Sequence, residues 1–220
     1  MVLSDTTADA AAPSRIRERL TLSLREFIVS GELKGGQKLN EADLARRLKT
    51  SRTPLREALL HLERESLVRS DLRRGFSVEP LSAREVRETY PMLSSLESHA
   101  VRSSLAFIPA LIPELERINA AFERARSAER ALKLDTLWHD TLMSQSNNAR
   151  LKALVTNLRR AIERYERIYM ADVSLTAISA RQHEAILAAF RKGRADAALR
   201  ALEENYDFGM RALLKKMGED

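Results

Sequence analysis

Apolar residues recur at helical spacing through most of the chain, and each such segment therefore has one apolar face. The first segment covers residues 15–30. We expect this helix to end before Gly31, because glycine often follows the last turn of a helix. Its apolar face consists of Ile16, Leu20, Leu24, Phe27 and Ile28. A short second helix is predicted over 41–48, with Asn40 as its N-cap.

A third helix is predicted from Thr53 to about Ser66. Thr53 can cap this helix, because its hydroxyl can accept a free amide of the first turn. Pro54 then takes the first helical position, where its missing N–H costs nothing. The apolar stripe of the helix consists of Leu55, Ala58, Leu59 and Leu62.

Two short segments after this helix alternate apolar and polar residues, as half-buried strands do. They cover residues 67–70 and 75–79, and the stretch between them ends in Gly75, a residue type suited to a hairpin turn. Three helices followed by a hairpin form a winged helix-turn-helix, which we place at residues 14–80. Residues 1–13 are predicted to form a disordered leader.

The chain beyond Ser82, which can cap the next helix, has helical periodicity throughout. Helices are predicted at about 83–107, 111–127, 128–146, 149–171, 175–192 and 195–216. Breaks are expected at Pro109 and Pro113, and Pro91 predicts a kink or a split in the first of these helices. The predicted fold class is mainly α: an N-terminal winged helix-turn-helix, followed at 83–220 by an all-helical bundle of about six helices.

The composition narrows the choice of partner. The 220 residues carry a net charge of +6 and include no cysteine, which excludes disulfides and thiolate metal sites and suits the reducing cytoplasm. No apolar run approaches the roughly 18 residues of a membrane span, so no membrane partner is expected. Five basic residues and no acidic one lie between Leu44 and Arg56, which indicates a polyanion as the partner.

This basic stretch includes the start of the third helix, the end that enters the major groove in helix-turn-helix proteins. The candidates for contact with double-stranded DNA are Arg46, Ser51, Arg52, Thr53 and Arg56, and in the wing Arg73, Arg74 and Gly75. The alternative for each arginine is a solvated surface position. Arg56 in particular could pair with Glu57 or Glu63.

Residues 31–78 resemble the DNA-binding domain of GntR-family transcriptional regulators. The motifs that match are Leu39-Asn40-Glu41, Leu44-Ala45, Ser51-Arg52-Thr53-Pro54, Arg56-Glu57-Ala58-Leu59 and the wing glycine Gly75. Lys49 and Ser66 depart from the family pattern, because glycine is usual at both positions. The helical remainder resembles the effector-binding FCD domain of the FadR-type branch. The resemblance implies a homodimer that binds a palindromic operator through the start of the third helix.

A second candidate site lies in the helical part. Asp135 and His139 are four residues apart, so on a helix they share a face and could bind one metal ion. His183 lies on a later predicted helix, and an aspartate with two imidazoles suits a divalent metal such as Zn, Ni, Mn or Fe. The alternative is an Asp–His hydrogen bond without metal.

The resemblance implies a third histidine for this site, and Asn205 stands at its position. Three interpretations remain open: a weakened metal site, a site completed by water or effector, and a pocket without metal. The resemblance also implies that the effector is a small carboxylate, a small organic acid.

Arg102, Arg159 and Arg160 are candidates for binding the carboxylate, since a guanidinium can hold one through two hydrogen bonds. The alternative for each is an ion pair at the surface. Leu93 occupies a position where this branch often has an arginine, so the effector is expected to be less acidic or bound differently.

These features predict a ligand-responsive bacterial transcriptional regulator, a repressor that its effector releases from the operator. The sequence does not fix the sign of the response, so activation remains open. The main alternative is a metal-dependent enzyme using Asp135, His139 and His183, but no general base or nucleophile with a supporting motif accompanies them. An architectural DNA-binding protein without a ligand is a third alternative.

Overall fold

The computed structural model describes residues 11–71 and 75–219, and of residues 11–14 it describes the backbone alone. The helices and strands that they form confirm the predicted fold class, a winged helix-turn-helix followed by a helical bundle. The chain divides into two compact units, residues 1–81 and 82–220, and each unit has its own buried apolar core.

The described residues of the first unit form three helices and a two-stranded sheet. They are α1 Ala11–Val29, α2 Glu41–Arg47, α3 Arg52–Arg64, β1 Val68–Asp71 and β2 Gly75–Val78. α1 begins ahead of its predicted start at Arg15. Alanine favours helix, and a proline at position 13 lies in the first turn, where no N–H partner is needed. Residues 1–10, the rest of the predicted leader, lie outside the described residues.

The predictions for the starts of α2 and α3 have different outcomes. The Asn40 side chain accepts two amides of the first turn of α2, at 3.0 and 3.2 Å, which confirms it as the N-cap. Thr53 as the cap of α3 is wrong, because α3 begins at Arg52 with Ser51 in the N-cap position. Pro54 is therefore the third helical residue. The helix can begin early because all amides of its first turn lack an intrahelical acceptor, so the proline still loses no bond.

The wing is an antiparallel pair in which Asp71 of β1 lies opposite Gly75 of β2. Gly75 has a φ of 76°, in the left-handed region that glycine adopts without strain. The predicted basic tip of the wing, Arg73 and Arg74, lies outside the described residues.

The second unit contains the six predicted helices and one short 3-10 turn at Leu105–Phe107. The helices are α4 Ala83–Arg102, α5 Ile108–Glu123, α6 Ala128–Leu142, α7 Ala149–Met170, α8 Val173–Arg191 and α9 Ala195–Lys216. None of the described helices combines the length and the apolar character that crossing a membrane requires.

The break predicted at Pro113 is wrong, because α5 continues through this residue. Of the two alternatives predicted at Pro91, the split is wrong, because α4 is one helix from Ala83 to Arg102. A proline inside a helix removes one backbone hydrogen bond. The buried faces on both sides of these prolines, such as Tyr90 and Leu93 in α4, offset that loss by packing into the core of the unit.

Ser82 caps α4 as predicted, since its Oγ accepts the amide of Glu85 at 3.4 Å. The Glu85 carboxylate does not return to Ser82, however. It accepts the hydroxyl of Tyr165 on α7, and this hydroxyl in turn accepts the Ser82 amide at 2.9 Å. Burial and the bond to Glu85 raise the pKa of Tyr165 to about 12. The start of α4 is thus fixed to α7.

Lys49 and Ser66, the two departures from glycine, both lie in the left-handed region, with φ values of 52° and 58°. Each follows the end of a helix, where a left-handed residue is common and is usually glycine. For a residue with a Cβ this conformation costs roughly 1–2 kcal/mol. The chain therefore carries backbone strain at both positions.

We expect Ser66→Gly to stabilise the protein by about 1 kcal/mol, or roughly 2–4 °C in thermal unfolding, because glycine removes the strain. Ser66→Ala is the matched control, since alanine lacks the hydroxyl but keeps the Cβ. A stabilisation by alanine equal to that by glycine would show that the hydroxyl, and not the backbone, is responsible.

Candidate DNA interface and candidate ligand site

The start of α3, the start of α2 and the wing border one open concave surface of about 600 Å³ in the first unit. Its lining residues are Leu39, Asn40, Glu41, Ala42, Arg52, Thr53, Arg56, Glu57, Leu60 and Gly75. The structure therefore brings four of the predicted DNA contacts together. Ser51 and Arg46 are exposed but do not line this surface.

The arginines of this surface differ in their partners. Arg56 forms an ion pair with Glu41 of α2 at 3.2 Å, and not with Glu57 or Glu63. Arg46 pairs with Asp43, one turn before it on α2. Within the described part of the chain, Arg52 forms no ion pair and no side-chain hydrogen bond, so its guanidinium is available for an external anion.

In the second unit, the bundle brings together the three predicted metal ligands. Asp135 and His139 lie on α6 and His183 lies on α8, and one donor atom of each falls within 4.8 Å of the other two. The Asp135 carboxylate lies 3.9 Å from Nε2 of His139 and 3.6 Å from Nε2 of His183. Both imidazoles therefore turn the same nitrogen towards one carboxylate.

The orientation of His139 is fixed by Glu97 of α4. Nδ1 of His139 donates to the Glu97 carboxylate at 2.8 Å, since an ionised carboxylate can only accept. Burial opposes ionisation of Glu97, yet the charges of His139 and Arg159 and the bonds it receives bring its pKa below the ordinary value. Nε2 of His139 is thus the nitrogen left for a ligand.

Asn119 of α5 fixes the orientation of His183 in the same way, by binding its Nδ1. The Asn119 amide donates to the carbonyl of Ala180 at 3.0 Å, so its oxygen must accept the Nδ1 hydrogen of His183 at 3.1 Å. The ring stacks on Trp138 with centroids 3.9 Å apart and is fully buried. Burial and the charge of His139 hold the pKa of His183 well below its usual range, so Nε2 carries no hydrogen.

These three residues fit a divalent metal. Nε2 of His183 is buried without a hydrogen-bond partner and faces an acceptor, an arrangement that a cation between them would satisfy. Two ligands of a tetrahedral ion at about 2.1 Å lie roughly 3.4 Å apart, close to the 3.6 and 3.9 Å found here. Imidazoles whose second nitrogen is held by a carboxylate or an amide are typical of metal sites.

Asn205, at the position of the third family histidine, lies on α9 beside this group. Its amide nitrogen donates to Gln182 at 2.9 Å, so its carbonyl oxygen is left as an acceptor. Asn205 also borders a cavity of about 40 Å³ next to the metal ligands. The cavity is lined by Tyr90, Asp135, His139, Glu166, Tyr169, Met170, Ser179, Asn205, Tyr206 and Gly209.

A larger groove of about 280 Å³ lies between α4 and α9 and shares two residues with the inner cavity, Tyr90 and Tyr206. The two rings meet edge to face with centroids 6.3 Å apart. The other residues that line the groove are Pro91, Ser94, Ser95, Glu203, Asp207 and Met210. These two tyrosines therefore border both spaces.

Comparison with known proteins identifies the two units. Residues 16–78 match the family model described as bacterial regulatory proteins, gntR family, and residues 88–208, more than half of the chain, match the FCD domain. The chain is 31% identical over 182 residues to an uncharacterized HTH-type transcriptional regulator, YdhC, of Bacillus subtilis, covering 80% of each protein. The chain belongs to the GntR family of bacterial transcriptional regulators.

Two further proteins agree with this assignment. The gluconate operon transcriptional repressor of Bacillus licheniformis is 26% identical over 198 residues, covering 86% of this chain and 81% of the relative. The structure of E. coli McbR/YncC superposes with a TM-score of 0.75 at 20% identity, covering 92% of this chain and 98% of the other, and so shows the shared fold. The family consists of transcriptional regulators and not enzymes.

The three candidate arginines of this GntR regulator lie elsewhere than in its cavity. Arg102 is exposed and pairs with Asp196 at 3.2 Å, and Arg160 is exposed. Arg159 is buried, and its guanidinium is bound to Glu97 and Asp140. Leu93 is fully buried in the core. None of the four lines the inner cavity or the groove.

Sequence reasoning missed the groups around this site, above all Glu97 and Glu166. A signal was present, because each carboxylate interrupts an apolar helix face: Glu97 follows Leu93 by one turn, and Glu166 follows Ile162 by one turn. Burial, with the negative charge of Asp135, raises the pKa of Glu166 to about 8.

This pKa predicts a pH dependence of stability. Between about pH 5 and pH 8 the folded state holds the Glu166 proton more tightly than the unfolded chain, so raising the pH through this range destabilises the fold. In chelator-treated protein, the free energy of unfolding of Glu166→Gln relative to wild type should therefore rise by on the order of 2 kcal/mol between pH 5 and pH 9, as measured by urea unfolding. Glu184→Gln, an exposed control, should show no such gain, and a pH-independent difference for Glu166→Gln would contradict the prediction.

Proposed function

We propose that this transcriptional regulator is a repressor that binds a palindromic operator as a homodimer and is released when a small effector enters the helical bundle. The observation that supports it most strongly is the convergence of Asp135, His139 and His183 beside an internal cavity. A bundle that serves only to dimerise has no need of oriented, buried imidazoles. The proposed place of action is the cytoplasm, where bacterial operators are accessible.

On the DNA side, we assign direct base contact to Arg52, whose guanidinium has no partner in the described part of the chain. Arg56 and Thr53 border the same concave surface and would contact the groove beside it. Ser51, Arg46 and Gly75 would contact the phosphate backbone, together with Arg73 and Arg74 of the wing. In the free protein Arg56 is paired with Glu41 at 3.2 Å.

On the ligand side, Asp135, His139 and His183 would hold a divalent metal such as Zn, Ni or Mn, and the Asn205 carbonyl oxygen is a weaker fourth donor. When bound, the metal supplies the positive charge that a carboxylate effector needs. Arg102 and Arg160 are on the surface, and Arg159 is already bound by two carboxylates. The effector carboxylate is therefore assigned to the metal.

Release from DNA is a population shift. The effector can change operator affinity only if it binds one conformation of the dimer better than another. We propose that the effector-bound conformation places the two recognition helices at a separation that no longer matches the half-sites of the palindrome.

Arg52→Ala should weaken operator binding by roughly 1–3 kcal/mol, or about tenfold to a hundredfold, because a base contact is lost. The measurement is a gel shift at fixed salt on the DNA upstream of the gene. Arg64→Ala, exposed at the other end of α3, removes the same charge from the same helix and should have little effect. Equal losses in both variants would contradict the assignment of Arg52 to base contact.

Purified wild-type protein should hold about one divalent metal per chain, measured by plasma mass spectrometry, and His183→Ala should lose it. His99→Ala is the matched control, because His99 is an exposed histidine of the same bundle. Metal that persists at the wild-type level in His183→Ala would exclude the site.

A further inference from the structure

Most polar groups around the inner cavity already have partners within the protein. The Tyr206 hydroxyl donates to Glu97 at 2.5 Å, and the Tyr169 hydroxyl lies 2.8 Å from Oγ of Ser179. The Asn205 amide is bound to Gln182, as described above. These groups shape the cavity, and of them only the Asn205 carbonyl oxygen, already proposed as a metal donor, is left without a partner among the described residues.

Two polar groups of the wall are different. Tyr90 is only 5% exposed, and its hydroxyl has no hydrogen-bond partner among the described residues. The Glu166 carboxylate likewise has neither a hydrogen bond nor an ion pair within the described ranges. The Tyr90 hydroxyl and the half-buried Glu166 carboxylate both border the cavity without a partner in the described protein, so both are available to bind a ligand there.

The charges around the two spaces have one sign. Asp135 and Glu166 line the inner cavity, and Glu203 and Asp207 line the groove. Asp207 also pairs with Arg211, but neither space is lined by a lysine or arginine from the described part of the chain. A metal at Asp135 would offset part of this charge. A ligand that is only an anion would still meet the carboxylates of Glu203 and Asp207 in the groove and would leave Glu166 without a partner.

The sizes of the two spaces assign parts of the ligand to them. The inner cavity of about 40 Å³ is little larger than one water molecule, so it can hold a metal ion and one donor group but not a whole metabolite. The groove of about 280 Å³ can hold the body of a small molecule. Tyr90 borders both spaces, so one ligand that spans them must pass its ring.

We propose that the effector is an amino-carboxylate, a small molecule that bears a protonated amine close to its carboxylate, and that Glu166 and Tyr90 recognise the amine. The carboxylate binds the metal held by Asp135, His139 and His183, so this inference rests on the proposed function. The ammonium group donates to Glu166 and lies against the Tyr90 ring, a contact that cations favour. The remainder of the molecule occupies the groove beside Glu203 and Asp207.

The test is a thermal-shift screen of the zinc-loaded protein with the L-amino acids, each paired with the carboxylic acid that lacks its amino group. At least one amino acid should raise the unfolding temperature clearly more than its paired acid does. Calorimetry with that amino acid should give a Kd about tenfold or more weaker for Glu166→Gln, because a buried charge pair is lost. Tyr90→Phe, which removes only the hydroxyl, should weaken binding by a smaller factor.

Glu163→Gln is the matched control, since it removes a carboxylate one turn earlier on the same helix and Glu163 does not line the cavity. Its Kd should equal that of wild type. Three results would overturn the proposal: paired acids that stabilise as well as the amino acids, an unchanged Kd in Glu166→Gln, or a panel in which no amino acid stabilises the protein. The first comparison uses wild type alone, so it decides even if a variant fails to fold.

Zinc content and operator binding, measured on the same samples, separate this inference from the proposed function. If the protein holds zinc, binds the operator and prefers the acids without an amino group, the proposed function stands and the inference that an amine is recognised is wrong. A protein that holds no zinc loses the metal part of the proposed function, and the paired ligands still decide whether an amine is recognised.

Discussion

The helical bundle depends on one fully buried carboxylate. Glu97 of α4 receives hydrogen bonds from His139 of α6, Arg159 of α7 and Tyr206 of α9, and so joins four helices at a single point. An uncompensated charge there would cost several kcal/mol. The fold therefore tolerates the buried Glu97 carboxylate only because these partners bind it. The same contacts set the direction of one proposed metal ligand and one wall of the cavity. Fold and ligand site therefore share their central interaction.

Periodicity was sufficient for the helices, because each helix buries one apolar stripe that is visible in a few turns of sequence. It was insufficient at the prolines, since Pro91 and Pro113 lie where tertiary packing offsets the lost backbone bond. It also missed the start of α3, where Ser51 and Thr53 are equally good cap residues. The sequence shows Lys49 and Ser66 only as departures from glycine, and their positive φ values show that both departures strain the backbone.

The site was predictable only in part, for a similar reason. The spacing of Asp135 and His139 places them on one helical face, and so indicates a pair that could act together. Which nitrogen of each imidazole faces inward depends on Glu97 and Asn119, which are 42 and 64 residues away from their histidines in the chain. No local pattern encodes contacts between helices. The charged residues that interrupt apolar stripes, Glu97 and Glu166, are the one sequence feature that marks where such contacts occur.

The wall of the inner cavity consists of two kinds of residue, and this has a consequence for how relatives of this regulator diverge. His139 and Tyr206 face the ligand space and also hold Glu97, so a change at either alters ligand choice and stability together. Glu166 forms no hydrogen bond and no ion pair among the described residues, and Tyr90 contributes to the core through its ring but forms no hydrogen bond through its hydroxyl. A change at Glu166, or one that removes only the Tyr90 hydroxyl, breaks no hydrogen bond of the described protein, so new specificities in relatives should arise there before they arise at His139 or Tyr206.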